Sequence, residues 1–152
     1  MSKLFLNYLN NTKKIKITLS KRIGGGGAGD VYKLSNDNNN VVKLYKHDKD
    51  KKLYEPKVKA MVLRGSKLLG KHSNQIIPYA WPIAVIENSR GDFLGFLMPE
   101  IDFEGTVSLE RMLQKKIRTV SGLPEFFGHR ISLAYNLAIS LSKLHQNNIF
   151  VI

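Results

Sequence analysis

Cysteine is absent from the 152-residue chain, which excludes a disulfide framework and a thiolate metal site. Histidine is scarce: four residues, His47, His72, His129 and His145, lie far apart along the chain and do not make a metal site. Long apolar runs are missing too. The opening Met1-Ser2-Lys3-Leu4-Phe5-Leu6-Asn7-Tyr8-Leu9 holds a broken apolar run, too short and polar for a signal peptide, and no segment approaches the ~20 apolar residues of a membrane span. A soluble, cytoplasmic protein is therefore expected. Acidic residues are the fourth scarcity: 12 Asp+Glu stand against 24 Lys+Arg, for a net charge of +12. Such a balance raises a polyanionic partner. Much of the basic charge lies in Lys13-Lys14, Lys46 to Lys52 and Lys115-Lys116-Arg118, interleaved with acids or in turns and on no single helix face. A solvated surface is the favoured reading, an acidic docking surface on a protein partner the next. A basic nucleic-acid binder is the least favoured, because no recognised reading element accompanies the charge.

What the chain does have is one glycine-dense stretch, Ile23-Gly24-Gly25-Gly26-Gly27-Ala28-Gly29-Asp30-Val31-Tyr32, in which Gly24, Gly26 and Gly29 give the spacing G-x-G-x-x-G. Glycine permits φ > 0 and close backbone approach, and it leaves amide N–H groups aimed at negative charge. Phosphate is the obvious guest. A Walker A loop is excluded because Gly29 is followed by Asp30-Val31 and not by Lys-Ser/Thr. A dinucleotide fingerprint is excluded because no helix fits after Gly29: Val31-Tyr32-Lys33-Leu34 favours strand and runs into the turn-forming Ser35-Asn36-Asp37-Asn38-Asn39-Asn40. Strand, glycine hairpin and strand remain.

Around the hairpin, Ile15, Ile17 and Leu19 alternate with polar residues as a half-buried strand leading into the loop, and Val41-Val42-Lys43-Leu44-Tyr45 forms a third strand after the Asn-rich turn. Lys43 inside that apolar strand is either an outward edge position or a cation that faces a site and needs an anion. His47 to Lys52 reads as a solvated connector. Leu53 to Leu63 has helical spacing, with Pro56 suited to the first turn and Gly65 to a C-terminal cap. Glu55 then falls at the helix start, either to pair and orient Lys43 or simply to favour the positive end of the helix dipole. Ser66 to Gln75 reads as loop. Ala80 to Ile86 and Phe93 to Met98 are an antiparallel pair around the turn Glu87 to Asp92, completing five strands. Pro99-Glu100-Ile101-Asp102 leaves the sheet. Ser108 to Lys116 is a short helix, and Glu125 to His145 is a long one whose Ile131, Ala134, Tyr135, Ala138, Leu141, Ser142 and Leu144 form a buried face. Its exposed face leads us to expect self-association. Ile149-Phe150-Val151-Ile152 is a further strand candidate.

This order of elements, over Ile15 to Ile152, resembles the protein kinase fold, and Glu55-Pro-Lys-Val-Lys-Ala-Met61, Ala80-Trp-Pro-Ile83 and Gly95-Phe-Leu-Met-Pro99 resemble a bacterial kinase-like group related to eukaryotic-type Ser/Thr kinases. The resemblance implies an α+β fold: a kinase-like N-lobe at 15–98, a five-stranded antiparallel sheet with one helix, after an N-terminal extension at 1–14. A hinge at 99–102 and a partial helical C-lobe at 103–152 would follow. It implies ATP as ligand. Gly24, Gly26 and Gly29, entered from Ile23, would cover the phosphates, Val31 and Val41 would pack on adenine, and Lys43, paired to Glu55, would contact the α/β-phosphates. Met98 would be the gatekeeper, with Glu100 and Ile101 as hinge backbone against the adenine edge. A protein would be the substrate or partner.

Departures from the pattern matter as much. Phosphoryl transfer in kinases depends on a base Asp, a metal-binding Asn and an Asp-Phe-Gly segment that holds Mg²⁺. His145-Gln-Asn-Asn-Ile-Phe-Val-Ile152 resembles the approach to that loop, and none of the three follows. The expectation is thus an ATP-binding portion whose Mg²⁺ would be held only in a complete parent. A catalytically inactive kinase-like interaction module is the alternative.

Overall fold

The computed structural model describes residues 3–11, 13–68, 79–101, 106–123 and 125–150. The chain divides into two compact units, Met1–Glu100 and Ile101–Ile152. In the first, seven strands, β1 (Leu4–Asn7), β2 (Ile15–Ile17), β3 (Leu19–Gly25), β4 (Gly29–Leu34), β5 (Asn40–Tyr45), β6 (Ala84–Asn88) and β7 (Phe93–Pro99), and one helix, α1 (Asp48–Leu68), are described. The strands form a single sheet in the order β2-β1-β6-β7-β5-β4-β3, antiparallel at every pairing. The fold is α+β, but the expected five strands are corrected to seven. Leu4 to Asn7 is a strand, aligned with β6 on one side (Leu6 with Ile86) and with β2 on the other (Leu4 with Ile17). The alternating run 15–20 is two strands, interrupted at Thr18.

That interruption shapes the unit. β2 and β3 stand at opposite ends of the strand order, yet one residue separates them in the chain. The sheet must therefore curl until its two edges lie side by side, and the Thr18 carbonyl accepts a bond from the Ser35 N–H at the end of β4 (3.0 Å). A curled sheet fills its concave side with alternate side chains. Here these are Leu6, Leu34, Val42, Ala84, Ile86 and Leu97, with Leu4, Ile17, Leu19 and Leu44 packed against them. On the other face, Tyr45, Val85, Phe93 and Phe96 pack against Val58 and Val62 of α1. Strand β6, whose Ala84 to Glu87 are all buried, is covered on both faces and reads as a continuous apolar run for that reason.

Helix α1 starts earlier than expected. Residues 48–52, read as a connector, are its first turns, with Asp48 and Asp50 placed where the helix dipole favours negative charge. Pro56, expected in the first turn, is inside the helix, where it removes the amide that would bond the carbonyl one turn before it. Gly65, expected as a cap, is helical and buried beneath Trp81: a Cβ there would lie 3.0 Å from the indole nitrogen. Trp81 in turn donates from Nε1 to the Met61 carbonyl (2.9 Å). Val58, Met61, Val62 and Gly65 thus form the docking stripe, and a missing side chain is what admits the indole. Trp81 to Ile83 precede β6 and are not strand. The remainder of the loop expected at 66–75, beyond Leu68, lies outside the described residues.

In the second unit the expected short helix is two, α2 (Leu109–Leu113) and α3 (Lys115–Val120), followed by α4 (Phe127–Gln146). The buried Arg118 guanidinium holds the break between them, donating from Nη1 to the Met112 and Leu113 carbonyls (2.7 and 3.0 Å) and forming a forked pair with Glu125 (3.2 and 3.3 Å). It satisfies carbonyls that the end of α2 leaves unbonded. Of the face expected to be buried on α4, Leu144 is buried, whereas Ile131, Ala134, Tyr135, Ala138 and Ser142 are exposed. The expected strand at 149–152 is not formed at Ile149 and Phe150; residues 151 and 152 lie outside the described residues.

Candidate functional site

Ladder register decides which side chains share a face. Directly opposed residues in antiparallel strands point the same way. Gly24 opposes Val31, Val31 opposes Lys43, Lys43 opposes Phe96, and Phe96 opposes Val85, so these five make one row across four ladders. The neighbouring row is Lys33, Val41 and Met98. Gly24, Val31, Val41, Lys43 and Met98 therefore lie together on one face of the sheet. Helix α1 covers the part of that face made by Tyr45, Val85, Phe93 and Phe96.

Lys43 stands at the border of the covered part. Its Nζ lies 5.6 Å from the Tyr45 ring centroid and 5.9 Å from that of Phe96, and the side chain is half-buried. Among the described residues it makes no ion pair. Ring faces attract a cation weakly, by about 0.5–1 kcal/mol at partly exposed sites, and leave its charge uncompensated. The same aromatic cluster buries the Tyr45 hydroxyl, whose pKa is pushed up to about 12 by loss of hydration.

Glu55 is not the partner of Lys43 in this structure. Because α1 begins at Asp48, Glu55 falls in mid-helix with Lys59 one turn ahead, and the two carboxylate–ammonium groups meet at 2.6 Å. Glu55 also lines a cavity of about 630 Å³ between the first half of α1 and the β6–β7 turn, together with Asp48, Lys51, Lys52, Arg90 and Asp92. That cavity is not lined by the glycine hairpin.

The hairpin itself is tight. The Gly26 N–H donates to the Gly29 carbonyl (2.9 Å), and none of its glycines takes a left-handed φ. Their uses differ. Gly29 is required by packing, since a Cβ there would strike the Leu44 carbonyl oxygen on β5. Gly24, Gly26 and Gly27 face open space, with nothing within 4 Å of an added Cβ. Beyond the hairpin, Ile23 is exposed at 36%, Met98 packs against the cluster under α1, and Glu100 donates its N–H to the Asn39 carbonyl (2.8 Å) while pairing with Lys33 (2.9 Å). Ile101 is exposed and falls in the second unit, and Asp102 lies outside the described residues.

Three charged groups at the hairpin and one buried carboxylate escape a reading by motif. Asp30 pairs with Arg22 (2.7 Å) and with Lys46 (3.2 Å), and Lys46 Nζ also donates to the Gly26 carbonyl (2.9 Å). The hydrogen bond from Arg22 holds the Asp30 carboxyl below the usual carboxylate range, against a smaller opposing loss of hydration, with Lys46 adding to the effect. Glu87 on β6 is 5% exposed, accepts from Asn7 Nδ2 (3.1 Å) and faces the Lys14 ammonium; Oε2 has that ion pair and no hydrogen bond of good geometry. Only its place directly after the apolar run Ala84-Val85-Ile86 hints at it in the sequence. No group of three or more His, Asp or Glu suited to a metal ion occurs among the described residues, nor is any of their helices long and apolar enough to cross a membrane. Compared with known proteins, the chain matches no family model, no curated protein and no solved structure.

Proposed function

We propose that this chain is the ATP-binding portion of a Ser/Thr-type protein kinase, with the nucleotide held on the face shared by the glycine hairpin, Lys43 and Met98. The observation that carries the reading is Lys43: a half-buried cation without a carboxylate among the described residues, in the same row as Gly24 and Val31. An uncompensated ammonium at the edge of an apolar face is a site for an anion, and the open space at Gly24, Gly26 and Gly27 leaves room for phosphate groups to approach backbone. Val31 and Met98, both half-buried, supply an apolar surface beside it, the composition a purine ring requires, whereas Val41 is buried at 3% exposure and lies beneath that surface. In a complete parent, the γ-phosphoryl group would pass to a protein hydroxyl. Mg²⁺ does not fit the described residues, which offer no carboxylate cluster, so no step is derived through it.

A second reading, a catalytically inactive kinase-like module that binds a protein partner, draws on two observations. Glu55 is engaged by Lys59 and not by Lys43, and Phe126, Phe127, Ile131 and Tyr135 leave much apolar surface exposed on and beside α4. Equilibrium titration with a fluorescent ATP analogue separates the two. The ATP reading expects saturable binding that weakens at least about tenfold in Lys43→Met, a loss of about 1.4 kcal/mol of phosphate interaction, with the thermal midpoint unchanged. A wild-type chain that binds no ATP, or a Lys43→Met chain that binds equally well, rejects it in favour of the second.

A further inference from the structure

An ionic cluster of Arg22, Asp30 and Lys46 lies at the base of the glycine hairpin. Gly25 lies directly beneath it: a Cβ at that position would collide with both the Asp30 carboxylate and the Arg22 guanidinium. The ion pair crosses over this glycine, and a side chain there would have to displace the ends of both partners. Arg22 belongs to β3, Asp30 to β4, and Lys46 follows β5 directly, so one carboxylate ties three consecutive strands at the same end. Lys46 binds the turn twice more, through Nζ to the Gly26 carbonyl (2.9 Å) and through its N–H to the Ala28 carbonyl (3.1 Å).

Register sets the side of the sheet. Arg22 opposes Tyr32 and Tyr32 opposes Val42; Gly25 opposes Asp30 and Asp30 opposes Leu44. Val42 and Leu44 belong to the concave core, so the cluster lies on the face opposite Lys43. Arg22 and Lys46 are thus poorly placed to reach a phosphate at Lys43, and both are already paired with Asp30. Apart from the Gly26 N–H bond to the Gly29 carbonyl, the tip has little else to fix it. Gly26 and Gly27 are exposed, carry no side chains, and have nothing within 4 Å of an added Cβ.

We propose that Arg22, Asp30 and Lys46 form an ionic clip on the back of the glycine hairpin that positions its tip for a nucleotide bound on the opposite face at Lys43. The three are positioning residues and touch no ligand; the inference rests on the nucleotide-binding reading above. A clip of this kind limits how far the tip swings away before phosphate arrives, so its loss weakens binding without removing a contact.

Hydrogen exchange of the Gly26 amide, which donates to the Gly29 carbonyl, tests the mechanical part in the full chain, and ATP titration of the same samples tests the positioning part. Asp30→Asn and the double variant Arg22→Gln/Lys46→Gln are each expected to exchange at the tip about fivefold faster than wild type and to bind ATP about threefold to tenfold more weakly, as loss of a small surface ion network implies. Asp30→Glu is expected to recover part of both. Thermal midpoints should stay within about 2 °C of wild type, because exposed pairs contribute little to global stability. At ~1 M salt, where screening acts within about 3 Å, the wild-type tip should loosen toward the variants. Should Asp30→Asn fold poorly, Arg22→Gln, which retains the Lys46 pair, carries the comparison. Equal exchange in wild type and variants overturns the clip, and faster exchange with unchanged, Lys43-dependent ATP affinity overturns its positioning role. A wild-type chain that binds no ATP overturns the nucleotide reading itself and the positioning role with it.

Discussion

Substitution of Gly95 by alanine adds one methyl group to the middle of β7, and the structure leaves no space for it. Gly95 lies between Leu44 on β5 and Ile86 on β6. A Cβ there would be 2.9 Å from the Lys43 carbonyl carbon and 3.0 Å from Leu44 Cα, and closer still to the Lys43 carbonyl oxygen. Carbon atoms rest at ~3.5–4.0 Å from one another and only slightly closer to oxygen, so β5 and β7 would have to part by about 1 Å or more. Backbone cannot swing aside as a side-chain tip does, and ladder bonds stretched by that amount pass beyond useful hydrogen-bond length. Losing two or three of them at about 1 kcal/mol each, in line with the 1–3 kcal/mol of an overpacked core, predicts a loss of about 3 kcal/mol. At this chain length that lowers the melting midpoint by about 10 °C. Trp81, the single tryptophan and a buried contact of α1, reports unfolding by its fluorescence in urea. Gly27→Ala is the control: its Cβ meets open space at an ordinary φ, so stability should hold or rise by about 0.4–1 kcal/mol through the unfolded chain. A Gly95→Ala chain within ~0.5 kcal/mol of wild type, a surface-like value, would refute the argument.

Trp81→Phe keeps one aromatic ring but loses the pyrrole part of the indole with its bond to the Met61 carbonyl, and should cost about 1–3 kcal/mol by urea denaturation followed by circular dichroism; a loss as large as that for Trp81→Ala would show that the remaining ring contributes no packing. Lys14→Met leaves the Glu87 carboxylate buried without its cation and should destabilise by about 1–3 kcal/mol, with Glu87→Gln in the same chain restoring most of it; a strictly additive pair would show that the two charges do not interact. Carbon-detected titration of Asp30 should give a midpoint below the ordinary ~3.9 that rises toward it in Arg22→Gln. The sign follows from linkage: a carboxyl with a depressed folded-state pKa adds stability that is complete above the unfolded value and disappears as pH falls through the folded one. A midpoint at or above ~3.9 contradicts the pairing.

Much of the first unit is legible in the residues. Strands β4, β5 and β7 follow from β-branched and aromatic runs between turn-forming clusters, and the glycine hairpin from Gly24 to Gly29. Two kinds of feature are not. Leu4 to Asn7 is too short a run to signal a strand alone; it becomes one because β6 and β2 offer it partners on both sides. Pro56 suggests a helix start by local preference, yet the packing of Val58 and Val62 under the sheet and the acids at 48 and 50 carry the helix through it, a tertiary override of a local preference. Within this longer helix Glu55 pairs with Lys59, one turn ahead, and not with Lys43.

Local chemistry alone determines that this chain forms a glycine hairpin between strands, with a lysine inside the next strand and no cysteine chemistry anywhere. It does so because φ restrictions, β-branching and side-chain charge act within a few residues of each other. Which glycine serves packing and which faces open space was decided by the tertiary structure: Gly29, Gly65 and Gly95 make way for a neighbouring carbonyl or indole, Gly25 for an ion pair, and Gly27 for nothing. The pairing of Asp30 with Arg22 and Lys46, and the lack among the described residues of an ion pair at Lys43, were decided the same way. Those outcomes depend on register between strands and on the face to which each side chain turns, quantities set by the curl of the whole sheet.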